Sequence, residues 1–310
     1  MEDGVLVTGS SGFVGSSLLR VLHAKGVKAY GMQRTESNNN NYTPVIADLT
    51  CLPEDLFTNK RVHTVVHTAA ITQDSSSLYS ADDFRKVNVE ATIRLAKLAL
   101  TAGVKRFIFI STVKVHGEFS YPNRPFNELS SFSPSDQYAK SKLDAERFLL
   151  ELVGKEDFEL IIIRPPLIYG LGAKGNIARL CDIAKKPYIL PFGSIYNKRS
   201  MLSIGNLTSA IMAILISRKK ASGAFLISDD QAVSISDIFK MLSTLKYSKL
   251  MVIKFPLLLL KLMILLTGRK SLVNRLINSL EIDNSQFKDA YKWSPDGDVL
   301  LELKKSCMEH

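Results

Sequence analysis

Short apolar runs recur through the first half of the chain, separated by longer stretches with helical spacing. The runs at 5–8, 27–32, 45–47, 64–67, 107–111 and 160–164 are too short for helices and almost continuously apolar. Strands buried on both faces of a parallel sheet have this pattern. Between them, 15–24, 84–102 and 135–152 place apolar residues at helical intervals. The βαβα alternation predicts an α/β fold: a doubly wound parallel sheet with helices on both faces. The polar tract 37–41 reads as a loop between the second and third strands. Past about residue 170 the alternation loosens, and Gly170, Gly172, Gly175, Pro187 and Pro191 mark irregular chain. A smaller mixed α/β lobe over the sheet is expected there. The sheet domain is expected to take residues 1–170 plus about 200–230, and the lobe about 171–199 and 231–310.

One segment breaks the pattern. FPLLLLKLMILLTGRK, residues 255–270, has an apolar stretch interrupted by Lys261. It is about half the ~20 residues that span a bilayer. It reads as a buried helix of the second lobe or, flanked by Lys254, Arg269 and Lys270, as a surface helix on a membrane or partner.

Composition narrows the classes. At 310 residues and 46% hydrophobic, the chain can bury one large core or two modest ones. Cys51, Cys181 and Cys307 are odd in number, widely spaced and in no metal-ligand pattern. Reduced thiols are therefore expected, with no disulfide framework and no structural zinc, as in an intracellular protein. The start MEDGVLVTG runs straight into a strand and does not read as a secretory leader. The net charge of +10 raises nucleic acid as a partner, but the Lys and Arg are scattered and no basic run is interleaved with aromatics. An anionic small substrate accounts for a positive cleft instead, and no nucleic acid is expected.

The chemistry begins after the first strand, where VLVTGSSGFVGSSLL sets Gly9, Gly12 and Gly15 at a strand-to-helix turn. Glycines there allow a tight turn, close approach of a pyrophosphate and close strand–helix packing, with the helix N–H groups receiving the anion. The second strand ends Tyr30-Gly31-Met32-Gln33-Arg34, without the carboxylate that would bond a ribose 2′-hydroxyl. A guanidinium at Arg34 suits a 2′-phosphate, so NADP(H) is expected, with NAD left open by the nearby Glu36. Further on, SDQYAKSKLDAERFL puts Tyr138 and Lys142 four apart on one helix face. The ammonium would depress the phenol pKa and make Tyr138 a usable proton donor and acceptor.

Taken together these stretches resemble the extended short-chain dehydrogenase/reductase family, and the resemblance runs over nearly the whole chain. It implies that Gly9, Ser11, Gly12, Phe13, Val14 and Gly15 form the cofactor cradle. Asp48 and Leu49 of ADLT would meet the adenine, and His67, Ala69 and Ala70 of VVHTAA would lie beside the cofactor with Asn88 of VNVEAT. Thr112 of FIFISTVKVHG falls on the family's catalytic Ser/Thr, Tyr138 and Lys142 of YAKSK on its catalytic pair, and Pro165 of RPPLIYG near the nicotinamide. The family's dehydratases carry an Asp-Glu pair after the catalytic Thr; Val113 and Lys114 stand there, which argues against dehydration. His116 replaces a usual Tyr and, with Lys114, would face substrate or else be structural. Asn176 and Arg199 would hold the diphosphate of a UDP-sugar.

The activity so implied is hydride transfer between NADP(H) and C4 of a UDP-4-keto-6-deoxy-N-acetylhexosamine, in O-antigen or capsule assembly. The alternative is a UDP-glucose or UDP-N-acetylglucosamine 4-epimerase with tightly held NAD. A non-catalytic nucleotide sensor on the same fold would be expected to lack the Tyr–Lys pair. A cytoplasmic homodimer, with membrane-peripheral contact through 255–270, completes the expectation.

Overall fold

The computed structural model describes residues 4–308 except 36–40, 59, 73–77, 153–157, 174, 267–272 and 274–275. Most of the polar tract 37–41, Glu36 and the end of the 255–270 segment thus lie outside the described residues.

Seven parallel strands form the central sheet. In chain order the first six are β1 (Gly4–Thr8), β2 (Ala29–Gln33), β3 (Thr43–Ile46), β4 (Val62–His67), β5 (Arg106–Ile110) and β6 (Glu159–Arg164). They stand β3-β2-β1-β4-β5-β6 across the sheet, so the order reverses between β1 and β4. The seventh, Gly223–Leu226, extends the sheet beyond β6.

Alternation along each strand builds two cores. Val5, Val7, Ile108, Ile110, Ile161 and Ile163 point to one face, under the helices α1 (Phe13–Ala24) and Ile204–Ile216. Leu6, Phe107, Phe109, Leu160 and Ile162 point to the other, under Ala91–Thr101 and the helix Gln137–Glu151. Both faces are covered, which is why these strands read as unbroken apolar runs. A third cluster, including Tyr169, Ile177, Phe239, Leu242 and Leu303, is the core of the smaller lobe.

Three findings differ from the expectations. Phe287, Tyr291 and Trp293 pack in the sheet's own core, so the segment 231–310 does not pack as a single lobe. Cys181 and Cys307 form a disulfide with Cα atoms 5.1 Å apart, leaving Cys51 free. The helices carrying them, Asn176–Ala184 and Val299–Met308, share the lobe core, and a separation of 126 residues hides that proximity in the sequence. The helix Leu257–Leu266 is exposed along most of its length, with Leu260 buried. A buried lobe helix is therefore excluded for this stretch.

Candidate active site

The functional side chains gather at the carboxyl ends of the strands, around the β1/β4 reversal where open α/β sheets bind ligands. Gly9 follows β1 with φ +69°, a conformation open to glycine, and packs against the chain after β4: a Cβ there would sit 2.9 Å from the Ala69 nitrogen. A Cβ on Gly15 would stand 2.2 Å from the Gly9 carbonyl oxygen, so only glycine lets α1 start so close to the strand. Gly12 is the N-cap of α1 and supplies no side-chain cap. The helix-start N–H groups thus face a backbone cradle where an anion is favoured by geometry and dipole. That is the fit expected of a dinucleotide pyrophosphate. Phe13 packs against the second lobe's core and Val14 against the sheet core, tying the loop to both bodies, while Ser11 is exposed.

A hydrogen-bond relay fixes this loop to the helix Gln137–Glu151. The Ala69 N–H donates to Thr8 Oγ1 (3.3 Å), and Thr8 Oγ1 lies 2.7 Å from His67 Nδ1. His67 Nε2 lies 2.8 Å from Thr92 Oγ1, which donates to the Asn88 carbonyl (2.8 Å). The consistent assignment has His67 neutral with its proton on Nε2, and burial together with the Lys142 charge lowers its pKa to about 3. The Asn88 amide then spans both backbone groups of Ile71, at 2.8 and 3.0 Å, and donates to Ser141 Oγ at 2.9 Å. Ser141 Oγ donates in turn to the Tyr138 carbonyl (2.8 Å). Asn88 sits in a π-helical turn, Arg85–Glu90, which turns its side chain inward.

His67 and Asn88 were expected to touch the cofactor. Both are fully buried and hydrogen-bonded within the protein, next to the chain that packs on the glycine loop. Ala69 and Ala70 are half-buried beside the glycine loop, within reach of a bound group.

Tyr138, Lys142 and Glu146 follow one another at successive turns of Gln137–Glu151. Tyr138 is half-buried, and a cavity of about 350 Å³ lined by Tyr79, Phe84, Asp136 and Lys140 opens beside it. Lys142 is buried, donates to the Ile110 carbonyl at 2.9 Å and lies 4.5 Å from the centre of the Phe109 ring. Burial pushes its pKa down to about 7, against the raising effect of Glu146. Thr112, two residues beyond Ile110, is the N-cap of a 3₁₀ turn and accepts from the Lys114 N–H at 3.3 Å. The structure thus brings the ends of β1, β4 and β5 and the Tyr–Lys helix together. Pro165, buried at the end of β6, accepts from the Val113 N–H at 2.9 Å and joins that strand to the same rim.

The expected substrate contacts fare differently. His116 is buried between the rings of Phe126 and Phe132. Its Nδ1 is 3.3 Å from the Ser131 carbonyl, and Arg164 reaches its Nε2 at 3.0 Å. Both ring nitrogens are thus engaged within the protein, the surroundings that the structural alternative expects. The Lys114 ammonium pairs with Asp136 at 3.2 Å, and Asp136 is the N-cap of the Tyr138 helix. Arg199 lies in a strand-like bridge to Val233 and Leu280 and donates to the Asn278 carbonyl at 3.3 Å. Asn176 begins its helix after Gly175, and its side chain lies outside the described residues. Arg34 is exposed just past β2 and its charge helps hold the Asp48 carboxyl below the usual range, behind hydrogen bonds from Thr50. Leu49 is buried in the core beside it.

Sequence reasoning missed Glu146 and Arg164. Arg164 forks onto the Glu146 carboxylate at 2.5 and 3.1 Å, and Ser111 donates to the same carboxylate. The signal was present: Glu146 continues the four-residue spacing of Tyr138 and Lys142 onto an otherwise apolar face.

Comparison with known proteins agrees with this geometry. The model of the NAD dependent epimerase/dehydratase family matches residues 5–227. A UDP-glucose 4-epimerase from Vibrio cholerae is 34% identical over 300 residues, 95% of this chain and 92% of that one. An N-acetyl-alpha-D-glucosaminyl-diphospho-ditrans,octacis-undecaprenol 4-epimerase from Escherichia coli O157:H7 is 30% identical over 68% of this chain and 62% of its own. Among solved structures, MoeE5 in complex with UDP-glucose and NAD superposes with a TM-score of 0.79 at 22% identity, covering 99% of this chain and 98% of that one. The UDP-glucuronic acid 4-epimerase from Bacillus cereus in complex with NAD gives 0.78 at 20% identity, with 99% and 98% covered. The fold, the glycine cradle and the matched residues make this chain a member of the NAD dependent epimerase/dehydratase family.

Proposed function

We propose that the protein is a UDP-hexose or UDP-N-acetylhexosamine 4-epimerase that retains NAD. The observation that carries this is the Tyr138–Lys142 pair on one helix face, tied through Ser141, Asn88 and His67 to an uncapped glycine-loop helix. The similarity to a UDP-glucose 4-epimerase over nearly the full length of both chains favours an epimerase over the ketoreductase expected from the sequence.

Tyr138 takes the proton from the C4 hydroxyl and returns it after the sugar has turned over. Thr112 hydrogen-bonds the reacting oxygen, so charge developing there meets a prepared donor. Lys142 in its charged form favours the phenolate and would hold the nicotinamide ribose. The cofactor, when bound, supplies a hydride acceptor and donor at C4. Gly9, Ser11, Gly12, Gly15, Ala69 and Ala70 would hold it, and Arg199 and Asn176 would hold the substrate diphosphate. Val113 and Lys114, in place of an acid–base pair for elimination, leave epimerisation at C4 as the simpler chemistry.

A second reading rests on Arg34. With no carboxylate at the end of β2, the chain would accept a 2′-phosphate, and an NADPH-consuming 4-ketoreductase would use the same three residues. The two are separated by incubating purified protein with UDP-glucose or UDP-N-acetylglucosamine and catalytic NAD, without reductant. The expected outcome is interconversion with the galacto epimer, lowered roughly 10²–10⁴-fold by Tyr138→Phe. Absence of interconversion, alongside stoichiometric NADPH loss at 340 nm with a UDP-4-keto-6-deoxy-N-acetylhexosamine, would replace the epimerase with the reductase.

A further inference from the structure

The helix Leu257–Leu266 buries Leu260, with Ile264 half-buried one turn on, and turns the rest of its leucines to solvent. On a helical projection Leu258, Leu262, Leu265 and Leu266 share the side opposite Leu260. Leu258 is 79% exposed and Leu266 78%, where a helix docked in a lobe core would bury them. Lys261 falls on the flank between the two sides, where a long aliphatic stem can lie along apolar surface and lift its charge clear.

A second apolar surface runs into this helix. Residues Ile189–Leu190 and Met251–Val252 pair as a two-stranded parallel sheet, with Ile189 opposite Met251. Leu190 and Val252 face the lobe core, so Ile189, Met251 and Ile253 face outward together, and all three are exposed. The chain passes from Ile253 through Lys254 and Pro256 directly into the leucines.

The chain segment that carries this helix is basic. From residue 238 to residue 280 the chain carries eight Lys and Arg and no Asp or Glu. Lys186, Lys249, Lys254 and Lys261 are exposed on the described part. Ten helical residues extend about 15 Å, half of the ~30 Å hydrocarbon thickness. Among the described residues no helix is long and apolar enough to cross a membrane. Short, apolar outward and basic at its margins, the helix has the build of an element that lies in the interface plane.

We propose that Leu257–Leu266, with Ile189, Met251 and Ile253, forms a docking surface for an anionic lipid bilayer. The leucines enter the headgroup–acyl boundary while the lysines meet the lipid phosphates. The surface shares no residue with the Tyr138–Lys142 helix, and the inference does not depend on which sugar is epimerised.

The test is flotation of the full chain with vesicles of phosphatidylcholine alone or with about one-third phosphatidylglycerol. The expected result is binding to the anionic vesicles at least tenfold stronger than to the neutral ones, falling steeply with added salt. Leu258→Gln with Leu262→Gln, and separately Lys254→Gln with Lys261→Gln, should each lower binding at least tenfold. Turnover of a water-soluble UDP-sugar should stay unchanged, showing that the variants fold. As a readout independent of those variants, Leu262→Trp should be quenched by vesicles with brominated acyl chains. The proposal is overturned by no flotation with either vesicle, or by an unquenched Trp on bound protein. It is likewise overturned if the wild type forms a dimer that Leu258→Gln dissociates, since a second copy then covers the face.

Discussion

At the scale of single residues, Lys142 is the most informative group. Its ammonium is buried against Ile110 and Phe109, and burial draws its pKa from 10.5 down to about 7. Such a lysine binds its proton less tightly folded than unfolded. Between about pH 7 and 10.5 the unfolded chain therefore holds more protons, and this group makes stability rise with pH across that window. The slope from one proton is at most about 1.4 kcal/mol per pH unit. Lys142→Met removes the buried charge, so the variant should resist urea better than the wild type at pH 7, and the gap should narrow as pH approaches 10. A gap independent of pH would mean that Lys142 is not titrating in this window. The Tyr138–Lys142 pair itself was legible, because spacing on one helix face is a local property. The partners of Lys142 were not: Glu146 lay in plain sight at the next turn, but Arg164 and Ser111 reach it from β6 and from beyond β5. For the same reason His116 read as a possible substrate contact. Only the packing of Phe126, Phe132 and Arg164 around it shows a ring with both nitrogens occupied.

At the scale of elements, the glycine turn is the most constrained piece of the fold. The distance from a Gly15 Cβ to the Gly9 carbonyl oxygen would be 2.2 Å, and the neighbour is backbone, which cannot swing aside. Gly15→Ala should thus push α1 off β1 and distort the N–H cradle, while Gly26→Ala, whose Cβ meets nothing within 4 Å, tests the cost of positive φ alone. Calorimetric titration with NAD should show at least a tenfold loss of affinity for Gly15→Ala and little change for Gly26→Ala. Equal affinities would remove the glycine loop from the cofactor site. Six strands of the sheet were readable because both sheet faces are covered and apolar runs mark them; the seventh, Gly223–Leu226, and the helix Ile204–Ile216 were not named from the sequence. The π-turn at Arg85–Glu90 was not readable, since its cause is tertiary: Asn88 must reach Ile71 and Ser141 at once. The two-residue strands of the lobe are likewise too short to leave a period in the sequence.

At the scale of the whole molecule, the disulfide links the first helix of the lobe to the last helix of the chain. Cys181 and Cys307 are both buried in the lobe core and close a loop with a separation of 126 residues. Sequence spacing argued for three independent thiols, because no local pattern joins residues so far apart. Packing joins them: Ile177 and Cys181 on one helix meet Leu303 and Cys307 on the other around Leu242 and Phe239. A cross-link closing a loop this long stabilises mainly by restricting the unfolded chain, by roughly 3–5 kcal/mol where native strain is small. In denaturant without reductant, a thiol reagent should therefore label one cysteine, Cys51, and after reduction all three. Reduction, or Cys181→Ser with Cys307→Ser, should lower the melting temperature by several degrees for a chain of this size. The loss should centre on the lobe, because the sheet's two cores contain neither cysteine. Hydrogen exchange resolves this: faster exchange in Asn176–Ala184 and Val299–Met308, with the β1–β6 strands unchanged, is the expected outcome. Labelling of all three thiols before reduction would return the chain to the fully reduced state its cysteine spacing suggests, and the lobe would then be held by its apolar core alone.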